Sequence, residues 1–307
     1  MFAYLIRKFL LTLTIVFGVM LLTFLLFNFV AKDPARAYAG KEVTPQQLQA
    51  VRHKMGLDKS RLRQFWDIMT FQFPQSMRYQ ESVWTLFREK APVSLAIQGP
   101  AFVIELGLQL GIAVLVAARR NSTFDFATTT LAVLLMSVPG LSLYLGVQWL
   151  FGAKLLWFPV AGWAPGFVFA IHFAALPILV SVFGGLGGGV RFYRTVALEE
   201  ISTDYVRTAR AKGVSSGNVL LIHVFRNMLI PVVTQTIVAI PFLVTGALLL
   251  EHMFQIPGFG GLLVDSIFAV DSPVVMAVIY LTSIAYALTL FLTDICYTIV
   301  DPRVVLR

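Results

Sequence analysis

Few residues in this 307-residue chain are suited to chemistry, and they are widely spaced. Glu105 lies midway along an apolar run, with Gln98 seven residues before it and Gln109 four residues after. Those intervals place all three side chains on one helical face. A carboxyl inside a membrane span is costly to ionise, so it pairs, takes a proton or faces a wet path. Glu105 therefore either meets a cationic group on a solute or hydrogen-bonds across a helix bundle, and its neighbours leave both open. Other polar or kinking residues in apolar runs are Pro100, Pro139, Ser142, Thr234, Gln235, Thr236, Pro241 and Thr245. Lipid offers such residues no partner, so with Gln98, Glu105 and Gln109 they mark a candidate translocation path.

The other concentration of polar groups is Asp204-Tyr205-Val206-Arg207-Thr208-Ala209-Arg210-Ala211-Lys212-Gly213, between two apolar runs. A charge at the bilayer centre costs about 2.5–3.5 kcal/mol, so this segment lies outside the hydrocarbon. It reads as a short helix stopped at Gly213, with Ser215, Ser216 and Asn218 positioned to cap a second helix. Ala209 and Ala211 permit close approach, and Gly213 permits a sharp turn. Arg207, Arg210 and Lys212 can make charge-assisted hydrogen bonds to a docked partner. The same cations also suit lipid phosphates.

Other chemistries lack their residues. There is no G-x-x-x-x-G-K-S/T loop for a nucleotide. The run Gly184-Gly185-Leu186-Gly187-Gly188-Gly189 lacks the Lys-Ser/Thr that would follow, and reads as a close-packing or hinge segment ending a span. The histidines, at 53, 172, 223 and 252, are scattered, and the single cysteine, Cys296, excludes an intrachain disulfide. No catalytic residue, metal site or bound cofactor is expected.

The elements that must position these residues are membrane spans. The chain is 58% hydrophobic and 13% charged, with mean hydropathy +0.79. Soluble domains carry about 25% charged residues, so this is a polytopic membrane protein. Six runs are long enough to cross: 9–30, 94–118, 127–151, 167–189, 228–250 and 275–299. The first is expected to be retained rather than cleaved as a signal. Arg7, Lys8, Arg119, Arg120, Arg191, Arg194, Arg207, Arg210, Lys212, Arg226, Arg303 and Arg307 fall on one side of the membrane, whereas segments 152–166 and 251–274 carry only Lys154. The positive-inside bias then places both termini in the cytoplasm and accounts for the net charge of +8 without nucleic acid. Residues 31–93 also carry many cations, but loops this long translocate largely regardless of charge. With Phe65, Trp66, Phe71, Phe73 and Trp84, and a helical stretch from Pro45 to Met55, they are expected to form a small folded cap on the outer surface. The whole, 1–307, reads as one transmembrane domain.

The motif order resembles the permease subunits of the oligopeptide/dipeptide family of ABC importers. The loop Asp204–Gly213, followed by His223, Arg226-Asn227 and Pro231, is similar to the family's coupling loop, spanning about 190–226. Gly56-Leu57-Asp58-Lys59 and Pro92-Val93-Ser94-Leu95 lead into the second span. Ser137-Val138-Pro139 and Trp157-Phe158-Pro159 resemble the third span and its outer loop, and Leu176-Pro177 falls in the fourth span. Glu251-x-x-Phe254-x-x-Pro257-Gly258-Phe259-Gly260 is similar to the last outer loop. Asp271-Ser272-Pro273-Val274-Val275 and Asp294-x-x-Tyr297-x-x-x-Asp301-Pro302-Arg303 bracket the last span.

The resemblance implies an all-α, six-span permease of the type I importer fold, in a bacterial inner membrane. It implies docking of residues 204–213 onto separate ATPase subunits, two in number, which bind the ATP. It further implies a second, related permease chain and an extracytoplasmic solute-binding protein. The solute would be a peptide or a similar small molecule. Phe71-Gln72-Phe73-Pro74 and Gly111-Ile112-Ala113-Val114-Leu115 depart from the family pattern, as does the glycine cluster ending the fourth span. A secondary transporter would need coupling carboxylates in several spans, and only Glu105 is deep. A channel would explain the spans but not the polar loop helix.

Overall fold

Backbone groups in lipid find partners only within a helix or a closed barrel, and these apolar runs choose the helix. The computed structural model describes residues 2–30, 33–40, 43–164 and 167–300, and all regular elements among them are helical. Among the described residues five helical segments are long and apolar enough to cross a membrane, and a sharply bent pair makes six if it is counted as one span. The chain divides into two compact units, residues 1–95 with 237–307 and residues 96–236.

The first unit is built on α1 (Phe2–Leu25), continued by a π-helical turn to Val30, and α14 (Ser272–Val300). The two pack side by side. Tyr280, fully buried, donates its hydroxyl to the Met20 carbonyl at 2.9 Å. Lys8 pairs with Asp294 at 2.9 Å. The segment after α1 forms α2 (Pro34–Ala39), α3 (Pro45–Lys54) and α4 (Arg61–Met69). Thr44 and Gln47 form a capping box at the start of α3, which fixes the helix expected there. Buried Asp271 ties residues 76–78 to the start of α14, accepting from Ser76 Oγ at 2.5 Å and from the N–H groups of Met77 and Arg78. The expected cap is thus not free-standing: α4 lies against α1 and α14.

The second unit holds most of α5 (Val83–Ala118), then α6 (Thr123–Ser137), α7 (Gly140–Val147), α8 (Phe167–Ile201), α9 (Asp204–Ala211), a turn α10 (Ser216–Asn218) and most of α11 (Phe225–Thr245). Its core joins Ala113 and Ala117 of α5, Tyr193 and Ala197 of α8, Val206 and Ala209 of α9, and Met228 and Val232 of α11.

Several expected boundaries are corrected. The second span's helix starts at Val83 rather than 94, because polar residues 88–90 extend it without entering the apolar stretch. The third span is broken, since α6 and the helix from Gly140 to Lys154 meet at 99° around Pro139, which cannot donate a helical hydrogen bond. The glycine run does not end the fourth span. It lies inside α8, which continues to Ile201, so the loop expected from about 190 begins as helix. The motif residues Asp301, Pro302, Arg303 and Arg307 lie outside the described residues.

Candidate functional site

The polar loop folds as α9, and its stop is chemically explicit. Gly213, at φ +79°, donates its N–H to the Arg210 carbonyl at 3.0 Å, and Val214 donates to Ala209 at 3.2 Å. That paired pattern closes a helix through a left-handed residue and is why glycine follows Lys212. Val206 and Ala209, one turn apart, point into the core, and Val214 packs behind them. Of the two alanines expected to permit close approach, Ala209 is buried and Ala211 is exposed. Asp204, Tyr205, Arg207, Arg210, Ala211, Lys212 and Gly213 remain exposed. Tyr205 donates to Glu200 of α8, and burial together with that bond pushes its hydroxyl above the usual tyrosine value. Arg207 and Asp204 pair loosely at 3.4 Å. Ser215 takes the N-cap position of α10 without a side-chain cap bond.

Arg194, expected among the loop cations, is instead consumed internally. Its Nε and Nη2 grip Asp125 of α6 at 2.7 and 3.0 Å. Asp125 also accepts from the Asn121 N–H at 3.0 Å. A lone acid at the start of an apolar run was the signal for this pair.

The structure brings Glu105 and Gln109 together. Gln109 Nε2 donates to Glu105 Oε1 at 2.6 Å and to the Gly185 carbonyl of α8 at 3.1 Å. The glycine run makes this possible. A β-carbon at Gly185 would overlap the Glu105 carboxyl, and one at Gly189 would overlap the Gln109 amide. Gln98 does not join them: its Nε2 is buried and makes no hydrogen bond. Ser142 lies exposed on α7, beyond the break, and Gln235 is exposed on α11. Thr234 and Thr245 each donate to the carbonyl one turn back, at 3.0 and 3.1 Å. Thr245 belongs to the other unit.

A polar site stronger than its motif suggested lies between the last two spans. Glu251, on α12 (Leu248–Met253), is fully buried. Its Oε2 accepts from the N–H groups of Gly260 and Gly261 at 2.8 and 3.1 Å, at the start of α13 (Phe259–Phe268). Ser94 of α5 receives the Phe259 N–H at 2.7 Å. Burial pushes the Glu251 carboxyl above its ordinary value, against the pull of Ser94 and the glycine N–H groups. The close glycine spacing after Pro257 was the legible signal.

The chain is a multi-pass, all-helical membrane protein with a braced polar helix between two spans and a carboxyl–amide pair within its helices. The chain belongs to the family described as binding-protein-dependent transport system inner membrane component, whose profile matches residues 109–306, while the family's N-terminal profile matches residues 1–84. Among its relatives, a putative peptide transport system permease protein of Brucella suis is 34% identical over 93% of each chain. The dipeptide transport system permease protein DppB of Lactococcus lactis is 32% identical over 99% of each. A glutathione transport system permease protein, GsiC, of Pectobacterium atrosepticum is 34% identical over 93% of each.

Proposed function

We propose that this chain is the transmembrane subunit of an ATP-driven importer for peptides or a similar small peptide-like solute. Its site lies in a bacterial inner membrane, with both termini cytoplasmic. The exposed face of α9 docks onto a cytoplasmic ATPase subunit, one of two, and a second related permease completes the path. An extracytoplasmic binding protein delivers the solute. The observation that carries this reading is the bracing of α9. Val206 and Ala209 fix it to a core shared with α5, α8 and α11, so a pull on its polar face reaches three spans at once. A packed core transmits displacement rather than absorbing it. Relatives named for peptide, dipeptide and glutathione transport support the solute class.

The path is assigned to the polar face of α5 with Ser142, Thr234 and Gln235. Within it Glu105 is the group to meet a solute's cationic end. The test is purification of the assembled complex from its own host. Co-purifying ATPases whose activity rises with a peptide-loaded binding protein are expected. A chain that purifies without an ATPase and transports solute in proteoliposomes lacking ATP would overturn the reading in favour of a secondary transporter.

A further inference from the structure

Helix α4 belongs to the segment expected to form an outer cap, and its contacts run along α1 and α14. Phe65 meets Phe17 and Phe24 of α1 edge-on, with ring centroids 6.0 and 5.3 Å apart. Ile68 is buried in one cluster with Met20, Phe24 and Tyr280, with Met69, Met276 and Ile284 packed around it. The apolar stretch of α1 runs from Ile6 to Asn28. At a rise of about 1.5 Å per residue, Phe17 lies roughly 16 Å inside the Asn28 end. The hydrocarbon is about 30 Å thick, so Phe65 reaches toward its middle. The other wall agrees, since Tyr280 sits about 12 Å below the start of α14 by the same rise.

The outward edge of α4 has matching chemistry. Leu62 and Trp66, one turn apart, are 84% and 60% exposed. Helix α1 also exposes Leu13, Phe17, Leu21 and Leu25, and Phe17 is the one that meets Phe65 of α4. Arg63 flanks this stripe on one side, by the 100° step of the helix. Asp67, buried beneath, takes Lys59 at 2.5 Å and Arg63 at 3.0 Å. An apolar stripe with tryptophan, edged by arginine, fits the boundary between acyl chains and phosphates.

We infer that α4 is seated in the membrane, its Leu62–Trp66 edge covered by phospholipid acyl chains. This goes beyond the transport reading and holds whichever leaflet that end of α1 occupies. The occupant is lipid rather than protein because α4 packs against Phe17, on the exposed apolar face of a span.

The test uses the full complex in phospholipid nanodiscs. Nitroxides are placed by Leu62→Cys and by Trp66→Cys, each in a Cys296→Ser chain, with Leu21→Cys on α1 and Gln46→Cys on α3 as references. Collision with oxygen should exceed collision with a water-soluble nickel complex at both α4 positions, as at Leu21. A nickel-dominated profile like that of Gln46 overturns the proposal. So does shielding from both reagents, which means that a protein covers the edge. A second measurement leaves α4 unaltered. With Trp84, Trp149, Trp157 and Trp163 changed to Phe, brominated phosphatidylcholine should quench Trp66, and an unquenched Trp66 overturns the seating.

Discussion

Arg194 holds Asp125 through both nitrogens of one edge of its guanidinium, joining α8 to the first turn of α6 on the side where α9 begins. Asp125 sits among the positive N-terminal N–H groups of its helix, which favours a carboxylate there. Because the pair is largely buried, removing one partner strands the other. Asp125→Ala should lower stability by about 3 kcal/mol, read as a drop in the thermal midpoint of the detergent-solubilised complex. Removing both charges, as D125A/R194M, should recover part of that loss.

The glycines of α8 should separate by position. A β-carbon at Gly187 would sit 2.7 Å from the Ala132 carbonyl of α6, a backbone atom that cannot step aside. At Gly188 nothing lies within 4 Å. Gly187→Ala should therefore destabilise the protein, whereas Gly188→Ala should be neutral or gain about 0.5–1 kcal/mol by restricting the unfolded chain. Equal midpoints for the two variants would contradict the α6–α8 contact.

Glu105 carries a prediction with two arms. If it meets the solute's amino group, Glu105→Gln should slow uptake of free-amine peptides more than of N-acetylated ones. If it serves only its bond with Gln109, the isosteric amide should affect both alike. Gly185→Ala, which drives the carboxyl aside, should reproduce the phenotype of the amide variant.

Gly213 has space for a side chain but not the backbone for one. Nothing lies within 4 Å of a β-carbon there, yet φ is +79°. A β-branched residue in that region costs about 1–2 kcal/mol, while asparagine tolerates it. Gly213→Val should leave membrane insertion intact and abolish solute-stimulated ATP hydrolysis by the complex, and Gly213→Asn should retain it.

Glu251 predicts a pH effect of definite sign. Its native value is raised by burial, so it contributes stability while protonated, and that contribution is lost as pH rises through the native value from the ordinary 4.5. Glu251→Gln keeps an acceptor for Gly260 and Gly261 and should flatten the profile on the alkaline side. Glu251→Ala leaves two buried N–H groups unpaired, at about 1–3 kcal/mol each, and should be the most damaging change in the α12–α13 hairpin. Thermal midpoints against pH for the three proteins test this.

Much of this molecule was legible as a string. Apolar run length fixes helices in lipid, because no other backbone geometry closes its own hydrogen bonds. The turn at Lys212-Gly213 was readable because caps are local, set by residues within one turn of each other. The seven-and-four spacing around Glu105 showed a shared face on α5.

What lay across from that face was decided only in three dimensions. Gly185 is 76 residues from Gln109, and no periodicity links them. The glycines read as a helix end, because nothing in their own neighbourhood shows that a second helix needs their missing side chains. The same holds for Asp125 with Arg194 and for Glu251 with Gly260: each acid looks costly alone, and its partner is supplied by packing. Helix α4 was read as part of an outer cap from span alternation and loop length. That Phe65 and Ile68 turn onto two spans was decided only by the tertiary structure, since which neighbours a helix packs against is not set by its own composition.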